Sequence, residues 1–134
     1  MFAALSALHV YWAVGGRRGL GAVIPTVDGR RTLNPSPLAT IVVAVALALA
    51  AAITFGATGM LAAVAPAWLI RCGLVVLTVV FGARAVGDLR LIGFTKRVKG
   101  TRFARLDTWV FAPLCVGLAA ACGALAWLSS QAAQ

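Results

Sequence analysis

From Leu38 to Ile70 the chain runs 33 residues without a charged side chain. No soluble core needs an apolar block of that length, whereas a membrane-spanning helix needs about 20 predominantly apolar residues. A single helix of 33 residues would reach roughly 50 Å and overshoot a bilayer. Gly56, Gly59 and Pro66 supply a break, so the block predicts two helices joined by a tight turn from Gly59 to Pro66. Trp68 then lies at the interface, and Arg71, one turn in, reaches back to the headgroups.

Two further apolar blocks flank this pair. Met1 to Val14 precedes Gly15-Gly16-Arg17-Arg18, and Trp109 to Leu128 follows a basic segment. With 62% hydrophobic and 11% charged residues and a mean hydropathy of +0.98, the 134-residue chain reads as one membrane domain. The predicted fold is all-α, an integral membrane four-helix bundle with helices at approximately 1–16, 38–58, 68–88 and 108–128. The first block is short: 14 residues rise about 21 Å. Either the helix runs on through the glycines, or the bilayer thins, or the start lies upstream of Met1. It is not a signal peptide, because its arginines follow the apolar stretch.

The net charge of +9 comes from twelve Lys and Arg against three acidic residues. Arg17, Arg18, Arg30 and Arg31 lie with Asp28 in one loop. Arg90, Lys96, Arg97, Lys99, Arg102 and Arg105 lie with Asp88 and Asp107 in another. The turn between helices two and three has no charge before Arg71. The positive-inside rule places both basic loops in the cytoplasm and both termini outside. The expected location is a bacterial inner membrane, multi-pass. The expected partners are anionic lipid headgroups rather than nucleic acid. The second loop mixes cations with Ile92, Phe94, Val98 and Phe103, which are expected to dip into the membrane.

Within the helices, Ala44, Ala48, Ala52 and Gly56 form a small-residue stripe. It suits packing within the chain or a homo-oligomer contact. Cys115 and Cys122, seven apart, share a helix face as small packing residues. Cys72 belongs to no Cys-x-x-Cys pair. Pro113 falls in the first turns of helix four, where a missing N–H costs least.

Chemistry is expected where ionisable groups enter the apolar blocks. Arg84 and Asp88 are spaced to pair at i, i+4. Asp107, just before Trp109, is expected to N-cap helix four. Arg90 and Arg105 complete the cluster. On helix one, His9 and Trp12 share a face. The candidate binding residues are therefore His9, Trp12, Arg84, Asp88, Arg90, Arg105 and Asp107. The lone His9 supplies neither a haem nor a metal ligand set, and no phosphate loop or nucleophile motif is present. No metal or cofactor is implied.

Three segments, His9 to Gly16, Arg84 to Phe94 and Phe103 to Cys115, together resemble DUF3995, a family of small bacterial membrane proteins grouped as a domain of unknown function. The resemblance implies four spanning helices and a longer first helix, hence a start upstream of Met1. It implies no activity. Three function classes fit. The first is binding of an amphipathic or anionic lipid or small molecule, or service as an accessory membrane subunit. The second is an oligomeric transporter or channel using Asp88 and His9. The third is a membrane-embedded isomerase or cyclase with Asp88 or Asp107 as the acid and His9 as its partner.

Overall fold

A computed structural model describes residues 1–27, 30–32, 34–60 and 65–131. Asp28 and residues 61–64 of the expected turn lie outside the described residues. Among those described, the chain is helical except for a two-residue antiparallel ladder in which Thr26 pairs with Arg31 and Val27 with Arg30.

The helices are α1 (Phe2–Ala13), α2 (Leu20–Val23), α3 (Pro37–Phe55), α4 (Ala67–Val86), α5 (Arg102–Leu106) and α6 (Ala112–Gln131). A π-helical turn, Gly56–Met60, extends α3, and another, Asp107–Phe111, joins α5 to α6. Three continuous segments are long and apolar enough to cross a membrane: Pro37–Thr58, Ala67–Val86 and Arg102–Gln131.

Local chemistry sets the starts. Pro37 opens α3 at a position that needs no amide proton, and Ser36 caps it by accepting from the Ala39 N–H at 3.2 Å. The last helix starts at Arg102 rather than near 108, because Thr101 accepts from the Ala104 N–H at 3.0 Å. Asp107 is therefore not the N-cap, and Pro113 does not sit in the first turn. Proline inside a helix removes a donor and crowds the carbonyl four residues back. The turn just before Pro113 widens, with the Ala112 N–H reaching the Asp107 carbonyl. The π turn accommodates the proline without ending the helix.

Helix α1 spans only 12 residues and ends at Ala13. It does not continue through Gly15 and Gly16: Gly15 turns out of the helix at φ of +97°, and the Tyr11 ring lies over Gly16.

Helix α1 packs on α3, where Ser6 Oγ donates to the Ala44 carbonyl at 2.8 Å, and α4 packs on α6. Thr78 lies beside Gly123 and Arg84 beside Asp107, so α4 and α6 run antiparallel. One core joins all four: Phe2, Leu47, Ala50, Leu74, Leu118, Cys122 and Ala126. Buried positions on α6 recur at Ala112, Cys115, Leu118, Cys122 and Ala126, one helical stripe containing both cysteines. Cys72, in contrast, is exposed. The small-residue stripe of α3 is divided: Ala44 and Gly56 are buried, while Ala48 and Ala52 face outward.

The outer surface is apolar. Ile41, Val42, Val45, Leu49, Val75, Val76, Val79 and Val80 are all exposed along α3 and α4. Soluble monomers rarely expose such continuous apolar faces. Trp109 and Trp127, 81% and 66% exposed, sit near the two ends of the last helix. Eighteen residues separate them, about 27 Å of rise, close to the hydrocarbon thickness that aromatic belts bracket.

Candidate functional site

The segment after α4 folds back on the helix end. Gly87 and Gly93 adopt φ of +97° and +78°. A Cβ on Gly93 would meet the Gly87 Cα at 2.4 Å, so only glycine allows this closure. Closure brings the Phe94 and Thr95 N–H groups onto the carbonyls of Ala85 and Val86, satisfying acceptors that α4 leaves open.

Asp88 organises this segment. Its Oδ1 accepts from the N–H groups of Arg90, Leu91 and Ile92 at 2.9, 2.6 and 3.0 Å. It does not pair with Arg84. Once α4 ends at Val86, i, i+4 helical spacing no longer links the two residues. The Ile92 and Leu91 N–H groups hold the Asp88 carboxyl below the ordinary carboxylate range. A lowered folded pKa stabilises this segment above the ordinary value near 3.8, and the benefit fades as pH falls through the folded value. Asp88→Ala at neutral pH should therefore accelerate hydrogen exchange at Arg90, Leu91 and Ile92 and spare α4. Unchanged protection at these amides would contradict the assigned role.

Arg84 reaches instead across to the last helix. Asp107 is fully buried and accepts from Arg84 Nη2 at 2.9 Å, Lys96 Nζ at 3.0 Å and the Gly93 N–H at 2.7 Å. Lys96 is itself only 4% exposed and also donates to the Gly93 carbonyl at 2.8 Å and to Thr108 Oγ1 at 2.7 Å. All three ammonium protons are thereby used. The cluster holds two cations around one carboxylate, and Arg84 Nη1 is buried without a hydrogen-bond partner among the described residues. The carboxylate fastens three pieces: the end of α4, the loop after it and the start of the last helix.

Beside the cluster lies a cleft of about 300 Å³, lined by Lys96, Lys99, Arg105, Thr108, Phe94 and Trp109 among others. Lys99, Arg105, Phe94 and Trp109 are exposed. Phe103, expected at the membrane surface, is instead buried beside Phe111.

The candidate residues thus separate. Arg84 and Asp107 meet, and Arg105 lies on the adjacent cleft. Arg90 is exposed, its carbonyl taking the Arg97 and Val98 N–H groups. His9 and Trp12 stack edge to face with centroids 5.1 Å apart. His9 Nδ1 lies 2.8 Å from the Leu5 carbonyl, which only accepts, so Nδ1 carries the proton. Trp12 Nε1 donates to the Arg18 carbonyl at 2.9 Å. Among the described residues no hydrogen bond or salt bridge joins His9 to Arg84, Asp88 or Asp107. Lys96 is the central residue the sequence does not single out, since nothing distinguishes it from the neighbouring Arg97 and Lys99. No group of three or more potential metal ligands occurs among the described residues.

Fold and site together define an all-helical protein with three apolar helices of membrane-spanning length and a basic end locked by a buried ion cluster. The chain belongs to the family described as Protein of unknown function (DUF3995), which it matches over residues 2–122. No curated protein and no solved structure matches it.

Proposed function

We propose that the chain is a multi-pass protein of a bacterial inner membrane, with both termini outside, that binds an anionic amphipath at its cytoplasmic end. One observation carries this reading: the cations of both loops gather at a single end of the bundle. Helix α2, from the first loop, packs on α5, after the second. Arg17, Arg18, Arg90, Arg97, Lys99, Arg102 and Arg105 are all exposed there, whereas Arg71 lies near the start of α4 at the opposite end. This asymmetry supports the cytoplasmic assignment. Helix α1, packed on α3, serves as the fourth member of the bundle.

Among the described residues the acidic side chains do not pair with those exposed cations: Asp88 is engaged by backbone N–H groups and Asp107 is sealed inside with Arg84 and Lys96. Each exposed cation near an anionic leaflet contributes about 1 kcal/mol of attraction, so the end as a whole favours phosphatidylglycerol-type lipid over zwitterionic lipid.

Native mass spectrometry of the protein released from mild detergent tests the reading. The expected spectrum shows retained anionic phospholipid. Release of bare protein, or retention of zwitterionic lipid to the same extent, would overturn it.

A further inference from the structure

Two exposed cations of the basic end, Lys99 and Arg105, line the cleft of about 300 Å³ beside the ion cluster. Pockets that hold small ligands start at about this size. That size suits a headgroup.

Its chemistry is one-sided. Neither Lys99 nor Arg105 has a salt-bridge partner among the described residues. Lys96 forms part of the wall, but its ammonium is spent on Gly93, Asp107 and Thr108. It lends charge and no free donor. Thr108 Oγ1 is occupied as well, donating to the Ala104 carbonyl at 3.0 Å while accepting from Lys96. Among the described residues, the side-chain donors of the cleft without a partner are therefore the Lys99 ammonium and the Arg105 guanidinium. An arginine fork beside a lysine is the donor set that phosphate oxygens match best.

The rim adds direction. Trp109 is 81% and Phe94 51% exposed, and both border the same cleft. Trp109 begins the apolar stretch of the last helix, at the level where tryptophan marks a membrane interface. A ligand with its anion between Lys99 and Arg105 would lay its apolar part along these rings.

We propose that the cleft binds one phosphate ester between Lys99 and Arg105, carried by a lipid whose apolar part leaves past Trp109 and Phe94. This rests on the reading of the basic end as an anionic-amphipath surface, and adds to it a single saturable site. The buried ion cluster is its back wall: Asp107 fixes Lys96 and the loop, which keeps the concave shape while the free donors stay at the mouth.

The test titrates phosphatidylglycerol into nanodiscs of phosphatidylcholine holding the full chain, counting bound lipid by native mass spectrometry. The wild type is expected to take up one phosphatidylglycerol at least tenfold more tightly than later ones. The Lys99→Gln/Arg105→Gln double variant should lose this first event. Arg90→Gln/Arg97→Gln, which removes exposed cations outside the cleft lining, should keep it. All four positions are exposed, and thermal melting verifies that each variant is folded. Trp109→Ala should weaken lipid uptake several-fold. Inorganic phosphate and glycerol phosphate, titrated into pure phosphatidylcholine discs, are expected to bind much more weakly than the lipid. Equal affinity for either would assign the cleft to a free phosphate and overturn the lipid assignment. A tight first event that persists in the Lys99/Arg105 variant overturns the cleft site alone. Absence of any preference for phosphatidylglycerol in the wild type overturns the underlying reading of the basic end.

Discussion

Asp107→Asn should destabilise the folded protein in mild detergent by about 3–5 kcal/mol, the cost expected when one partner is removed from a buried ion pair. The substitution keeps size and one acceptor oxygen, but its amide nitrogen donates and must face either Arg84 or Lys96 and the Gly93 N–H, so a charge and an acceptor are lost together. Two cations then remain in the cluster, one of them a lysine 4% exposed, with no anion between them. The three partners are unequal. The cluster carries two positive charges and one negative, so Lys96→Met leaves a balanced Arg84–Asp107 pair, while Asp107→Asn leaves uncompensated repulsion. Thermal melting of the variants should therefore rank Asp107→Asn well below Lys96→Met. The double variant Asp107→Asn/Lys96→Met should recover part of the loss, since it relieves the stranded ammonium. A Lys96→Met variant as unstable as Asp107→Asn would show that charge balance is not what the cluster supplies. Exchange protection should fall at Gly93, whose N–H loses its carboxylate, before it falls in the apolar middle of α6.

The same cluster shows where sequence carries structure and where it does not. The long apolar helices are legible because composition alone sets them: a block without charges has few places to go except a membrane or a core. The seven-residue spacing of Cys115 and Cys122 is legible for a similar reason, since helical periodicity is local. The Arg84–Asp107 contact spans 23 positions and depends on how the loop after α4 closes. From sequence, the nearer Asp88 is the natural partner for Arg84, and the helix would have to continue past Val86 for that pairing to form. Gly87 ends it. Lys96 is hidden for another reason: burial is decided by the path of the loop, and in a row of basic residues no local pattern marks the one turned inward. Thr101 did carry a signal for the true start of the last helix, as a threonine three residues before its bonding partner Ala104. The apolar block starting at Trp109 outweighed it, because hydropathy registers where a helix enters lipid and is silent on a polar turn that precedes it. Pro113 pointed the same wrong way, its cost being absorbed by a π turn that sequence does not announce.

Gly93→Ala should be among the most damaging single substitutions in the loop after α4. A left-handed backbone costs a non-glycine residue about 1–2 kcal/mol through clash of the Cβ with its own carbonyl. At Gly93 the clash extends further: the new Cβ would stand 2.4 Å from both the Gly87 Cα and the Val86 carbonyl oxygen. These are backbone atoms, and no rotamer change moves them. Relief requires the loop to open, which withdraws the Gly93 N–H from Asp107 and the Phe94 and Thr95 N–H groups from the end of α4. Gly87→Ala meets the same obstacle from the other side, with the Ile92 carbonyl in the way. Gly100 provides the control: its φ is +89°, yet a Cβ there would find open space within 4 Å. Gly100→Ala should therefore show the conformational cost alone, about 1–2 kcal/mol, and Gly93→Ala clearly more. Opening the loop also displaces Lys96 and Phe94 from the cleft wall, so Gly93→Ala should lose the first, tight phosphatidylglycerol along with stability, at temperatures where it remains folded. Equal melting temperatures for the two alanine variants would mean that the closure of Gly87 on Gly93 does not hold the loop, and that Asp107 fastens it unaided.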